Sequence, residues 1–181
     1  MNWRQDADAG RGRAWFLGAT LAFAALAGWL LIGGRTATLN AIGVPTMELP
    51  FADVRTVTGA SIALAQGLDP LVSNPGDPWL RPLNYPRIWL VLPHVGFGPQ
   101  HSELLATFFC FTFLLGLYLL SRLATTPAIA FTMALALFSP STWLLVERGN
   151  NDMLMFGLLA VVALSAGKHP RTAGTLIGLA S

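Results

Sequence analysis

The chain has 181 residues, 54% of them hydrophobic and 11% charged, with a net charge of +2 and a mean hydropathy of +0.56. A soluble domain carries about 25% charged residues, so this composition points to a polytopic membrane protein. No long basic run occurs, because Arg4, Arg11 and Arg13 alternate with Asp6, Asp8 and small residues; nucleic acid is therefore not an expected partner. Cys110 is the only cysteine, which excludes an intrachain disulfide and gives no support to a cysteine-based zinc site.

A helix needs roughly 20 apolar residues to cross the bilayer core. The first stretch, Ala14–Gly34, has 21 residues without a charge. It is longer than the apolar run of a signal peptide, and further apolar segments follow, so an uncleaved helix is expected. Leu104–Ser121 and Leu123–Val146 follow as spans, the latter interrupted by Pro127 and Pro140, with a kink expected at Pro140. A fourth span is expected over 150–167, with Asn150–Asp152 forming its first turn. A fifth begins at Thr172 and stops at Ser181, the pattern of a truncated chain. The expected fold is thus an all-α polytopic transmembrane helical bundle, a single membrane domain over 1–181. Residues 35–103 form a long, partly helical first outer loop.

The positive-inside rule sets orientation. With the N-terminus in the cytoplasm, Arg4, Arg11, Arg13, Arg122, Lys168 and Arg171 lie inside on three short segments. Arg35, Arg55, Arg81, Arg87 and Arg148 lie outside, spread over far more chain. The outer loop and the polar turn Glu147-Arg148-Gly149-Asn150-Asn151-Asp152 then share one face.

The loop is too long for a plain connector. Between its prolines, Val54, Val57, Ser61 and Leu64 recur at helical spacing and Gly67 follows. This predicts a short helix over Asp53–Gln66 near the outer membrane surface, with Gly67 ending it. On local grounds alone, Asp53 reads equally well as a first-turn acid favoured by the helix dipole. Trp79, Tyr85 and Trp89 read as members of an aromatic belt, with Ile88–Leu92 dipping into the interface. Asp69 before Pro70 reads as a turn residue. His94 and His101 read as surface residues, and Glu103 as the cap of the second span. Asn150 and Asn151 each read as helix caps.

A charged turn between apolar stretches is costly in lipid, so Glu147–Asp152 is expected to line a functional, watery face. The ordered features around it resemble the glycosyltransferase C superfamily, and within it the bacterial mannosyltransferase-like and arabinofuranosyltransferase-like members. The resemblance is carried by Phe51-Ala52-Asp53-Val54-Arg55 early in the first outer loop and by Gly67-Leu68-Asp69-Pro70. It continues through Asn84-Tyr85-Pro86-Arg87-Ile88-Trp89 and Arg148-Gly149-Asn150-Asn151-Asp152. It covers roughly Asp53 to Gly167. Leu71 stands where the family often has tyrosine, and such enzymes commonly have eight or more spans.

The resemblance implies transfer of a sugar from a polyprenyl-phosphate donor to a glycan or lipid acceptor, at the outer face of a bacterial cytoplasmic membrane. It implies Asp53 as catalytic base, with Arg148, Asn150, Asn151, Tyr85 and Arg55 as phosphate or sugar contacts. An arginine fork suits a phosphate, as do the free N–H groups of a helix start. Two arrangements of the remaining acids stay open. Glu147 and Asp152 hold Arg148, or with Asp53 they bind a divalent cation, Mg or Mn, that bridges phosphate oxygens. By itself this piece is expected to be inactive. The rival readings are a transporter or flippase fragment and a non-catalytic membrane scaffold.

Overall fold

Every regular element among the described residues, 3–33 and 36–166 of this computed structural model, is helical. In chain order these are α1 (Trp3–Ile32), α2 (Thr36–Ala41), α3 (Ala52–Ala65), α4 (Val91–His94), α5 (Ser102–Leu120), α6 (Pro127–Leu137), α7 (Pro140–Arg148) and α8 (Asp152–Ser165). Short 3-10 turns precede α4 and α5 and follow α5. Arg35, Lys168, His169, Arg171 and the segment 172–181 lie outside the described residues.

Two stretches, Ala7–Leu31 and Pro99–Leu123, are long and apolar enough to cross a membrane. Both leave large apolar side chains exposed, among them Trp15, Leu21, Phe108 and Phe111, as a lipid-facing surface would. The expected third span is not one helix: α6 and α7 meet at a bend of 51°, and together they pass as one broken span. Proline placement explains the break. Thr126 and Ser139 accept hydrogen bonds from the backbone N–H groups of Ile129 and Thr142, so each caps a new helix, with Pro127 and Pro140 at its first position. The fourth expected span starts at Asp152 rather than 150 and has 14 described residues. At 1.5 Å per residue that is about 21 Å, short of the roughly 30 Å hydrocarbon core.

The core joins these elements. α1 packs mainly on α6, and α5 on α8. Phe23 of α1 sits edge-on to Phe138 at 5.6 Å and against Trp143 at 4.4 Å, closing α1 over the bend. Gly157 of α8 lies so close to α5 that a Cβ there would stand 2.8 Å from the Thr112 carbonyl oxygen.

The loop helix forms where expected, one residue earlier at each end, and Gly67 follows its C-cap with φ +72°. Ala52, Val54, Thr56, Val57, Thr58, Gly59, Ala60 and Ala63 of α3 are buried. The proline-rich segment folds back over it: Gly59 meets Gly76 backbone to backbone, and Leu83 packs with Val57 and Ala60. On the other side the Thr58 hydroxyl bonds Ser102 of α5 at 2.7 Å. α3 is thus covered on both sides. Ile88–Leu92 forms the 3-10 turn and the start of α4, with Trp89 and Leu92 packed against the core.

Candidate functional site

The end of α7 and the start of α3 are tied by backbone. The Phe51 N–H donates to the Glu147 carbonyl at 2.8 Å, and Gly149 turns the chain in the left-handed region at φ +61°. A Cβ at Gly149 would lie 3.0 Å from Phe51 Cβ and 3.1 Å from Val54 Cγ2, so the close approach as well as the turn suits glycine. This junction brings residues about a hundred positions apart into one cleft of about 360 Å³, lined by Asp53, Ser141, Leu144, Leu145, Arg148 and Asn150.

Asp53 stands in the first turn of α3, as the local reading expects, without being its N-cap. The N-cap of α3 is Phe51 and receives no side-chain bond. Instead Asp53 Oδ2 accepts from Asn150 Nδ2 at 2.9 Å, and its Oδ1 stands 3.5 Å from Arg81 Nη1. The Tyr85 hydroxyl faces the same carboxylate. Burial first, then the negative charge of Asp53 and donation to it, push the Tyr85 phenol well above its usual range, so it remains a neutral donor. Asn150 has two uses: its Oδ1 also accepts the Asp152 N–H at 2.8 Å, opening α8 as an Asx turn.

Arg148 belongs to the same lining. Its Nε lies 3.0 Å from Glu147 Oε2, and Nη2 donates to the Pro45 carbonyl at 3.2 Å. Glu147 is fully buried, with Oε1 accepting the Met47 N–H at 2.9 Å. Of the two arrangements open in the sequence, Glu147 thus takes the one in which it holds Arg148. Asp152 does not share that task; its side chain is exposed at the first turn of α8. Asp53, Glu147 and Asp152 are not gathered as metal ligands, and among the described residues no group of three His, Cys, Asp or Glu side chains is arranged to hold a metal.

Three other expected positions fall elsewhere. Arg55 is engaged away from the cleft: its Nε donates to the Pro50 carbonyl at 2.8 Å, and Nη2 lies 3.8 Å from Glu103. Two residues along a helix from Asp53, it necessarily projects on another face. Asn151 is buried, is not part of the cleft lining, and as N-cap of α8 gives no side-chain bond. Glu103 does not cap α5; that N-cap is His101, and Glu103 is largely exposed. Asp69 behaves as the expected turn residue, its Oδ1 accepting the Leu71 N–H.

The sequence reading missed Arg81 and Asp77. Asp77 is buried and takes Arg81 through both oxygens, Nη2 on Oδ1 at 2.8 Å and Nε on Oδ2 at 3.1 Å. Burial opposes its ionisation. The Arg81 side chain and backbone N–H together with Thr56 outweigh that opposition and hold the carboxyl below the usual range. In the sequence only the spacing of Asp77 and Arg81, four apart, hinted at a pair.

A second, apolar cavity of about 530 Å³ adjoins the site between α1 and α5. Phe23, Ala27, Leu31, Cys110, Phe113, Pro50 and Phe51 line it, together with the polar Glu103 and Thr107.

No family model, curated protein or solved structure matches this chain.

Proposed function

We propose that the protein is an integral membrane glycosyltransferase, or a part of one, acting on a polyprenyl-phosphate sugar at the outer face of the cytoplasmic membrane, with its N-terminus inside. The observation that carries this reading is the cleft whose lining Asp53 and Arg148 share with Asn150, itself bonded to Asp53. A carboxylate and a guanidinium in one cleft are what an inverting glycosyl transfer from a lipid phosphate uses. Asp53 takes the proton of the acceptor hydroxyl as its oxygen bonds to the anomeric carbon. The anomeric C–O bond breaks, and the phosphate leaves with the electron pair, stabilised by Arg148. Glu147 fixes Arg148 Nε, while the Pro45 carbonyl takes one of its remaining donors. The mostly apolar cavity that Phe51 helps to line suits an isoprenoid tail.

The test is transfer from a polyprenyl-phosphate sugar in membranes expressing the complete open reading frame. Asp53→Asn is expected to abolish transfer with protein abundance unchanged. Normal transfer by that variant sinks the assignment.

One observation favours a second reading. Broken helices mark transporter sites, and α6 and α7 form such a pair. A cysteine introduced at position 150 separates the two: labelling from alternate sides of the membrane supports transport, and labelling from one side supports the transferase.

A further inference from the structure

Among the described residues, two that are not glycine hold a left-handed backbone, Phe51 at φ 63° and Leu80 at φ 57°. Phe51 stands two residues before Asp53, and Leu80 immediately precedes Arg81. For a bulky residue such a backbone is uphill and persists only where its surroundings over-determine it. At Leu80 the side chain is 71% exposed, so its packing is not the cause. The turn itself is. The Leu80 N–H donates to the Asp77 carbonyl at 2.9 Å, and the Trp79 and Arg81 N–H groups donate to Asp77 Oδ2 at 3.1 and 2.9 Å.

This turn aims one side chain. Arg81 Nε bonds Asp77, and Nη2 bonds Asp77, the Thr56 hydroxyl and the Ala52 carbonyl. The Trp79 ring lies beneath the guanidinium, 5.0 Å from its carbon. Nη1 takes part in none of those bonds and stands 3.5 Å from Asp53 Oδ1. An arginine needed only to close the loop is satisfied by Asp77. The strained turn, the doubly bound fork and the anchor on the first residue of α3 together direct the remaining nitrogen at one carboxylate.

We propose that Arg81 is a positioning residue for Asp53: clamped by Asp77, it presents Nη1 to one carboxylate oxygen while Asn150 holds the other, fixing the side chain that faces the cleft. The functional part of this inference rests on Asp53 being the base. At 3.5 Å the contact is a charge attraction rather than a tight hydrogen bond, so it orients Asp53 and leaves it lone pairs for a substrate proton. Lysine cannot replace this fork, because one ammonium point charge cannot bond both Asp77 oxygens in plane and also reach Asp53.

The test has two arms, both in membranes expressing the complete open reading frame. In the first, a carbodiimide with an amine nucleophile modifies carboxyl groups and peptide mass spectrometry reads each site, with the half-exposed Asp69 as internal standard. R81Q and R81K are each expected to raise Asp53 modification relative to Asp69 by about two- to fivefold, the factor a partly exposed ion pair is worth. R81K retains the charge and the stem, so it decides the matter if R81Q fails to accumulate. A wild-type ratio in R81K overturns the proposal. In the second arm, R81K is expected to lower kcat for sugar transfer with KM unchanged; an unchanged kcat overturns the positioning role. If the unaltered protein transfers no sugar, the reading of Asp53 as base falls, and the labelling ratio still decides whether Arg81 holds it.

Discussion

The Asn150 side-chain amide donates to the Asp53 carboxylate at 2.9 Å across 97 positions of sequence. One side chain thereby links the start of α3 to the start of α8, and its other end closes the turn that opens α8. N150A removes both bonds and leaves a part-buried carboxylate short of a donor. It is expected to destabilise the protein by about 1.5–3 kcal/mol, the worth of a hydrogen bond to a charged group. Thermal unfolding in detergent checks this. N150D sets a second carboxylate beside Asp53 and is expected to be worse than N150A.

Glu147 is fully buried beside the part-buried Arg148. E147A leaves the Met47 N–H without its acceptor and the part-buried Arg148 guanidinium with the Pro45 carbonyl alone, and an unsatisfied buried group costs about 1–3 kcal/mol. The variant is expected to accumulate poorly or unfold at markedly lower temperature. R148A leaves the fully buried Glu147 with the Met47 N–H alone, and removing the partner of a buried charge costs about 3–5 kcal/mol. R148K keeps a charge for Glu147 and should retain the fold while losing the fork; it is expected to raise KM for a phosphate-linked donor, as steady-state kinetics would show.

Gly59 and Gly76 let the loop lie directly on α3. A Cβ at Gly59 would stand 2.5 Å from the Gly76 carbonyl carbon, and that neighbour is backbone rather than a flexible side-chain end. G59A is expected to cost about 1–3 kcal/mol, the range for overpacking, and to lift the 70–85 segment. Limited proteolysis should then cut within that segment, whereas the unaltered chain resists.

Acid should loosen the same segment. The Asp77 carboxyl is held below its ordinary value of 3.8. Its contribution to stability is therefore present above that pH and is lost as pH falls further, through the folded value. Unfolding temperature is expected to be insensitive to Asp77 between pH 5 and pH 8. D77N should remove the part of the acid loss that lies below about 3.8. If D77N has the same acid profile as the unaltered chain, the clamp on Arg81 is not what the ion pair geometry implies.

Much of the fold was legible in the sequence because it depends on local chemistry. Apolar runs set α1 and α5, Pro140 after Ser139 set the break in the third apolar stretch, and Gly67 set the end of α3. The helical period of Val54, Val57, Ser61 and Leu64 placed α3 to within one residue, yet gave no sign that its other faces are covered too. Small residues such as Gly59 and Ala63 look permissive in a sequence and become contact points only once a loop lies on them.

The candidate site divides in the same way. Sequence by itself singled out the turn that holds Arg148 and Asn150, because charged and amide groups between apolar stretches are costly unless used, whereas Asp53 was singled out only by the resemblance. Which of their neighbours join them was decided by tertiary structure. Arg55 faces Glu103, Asn151 turns into the core, and Arg81 arrives from a turn that carries no periodic signal. The physical reason is direction. Composition and period say what a segment must bury, but where a polar side chain points depends on helix phase and on the backbone of a turn such as Asp77–Arg81, and those are fixed only when distant segments close on one another.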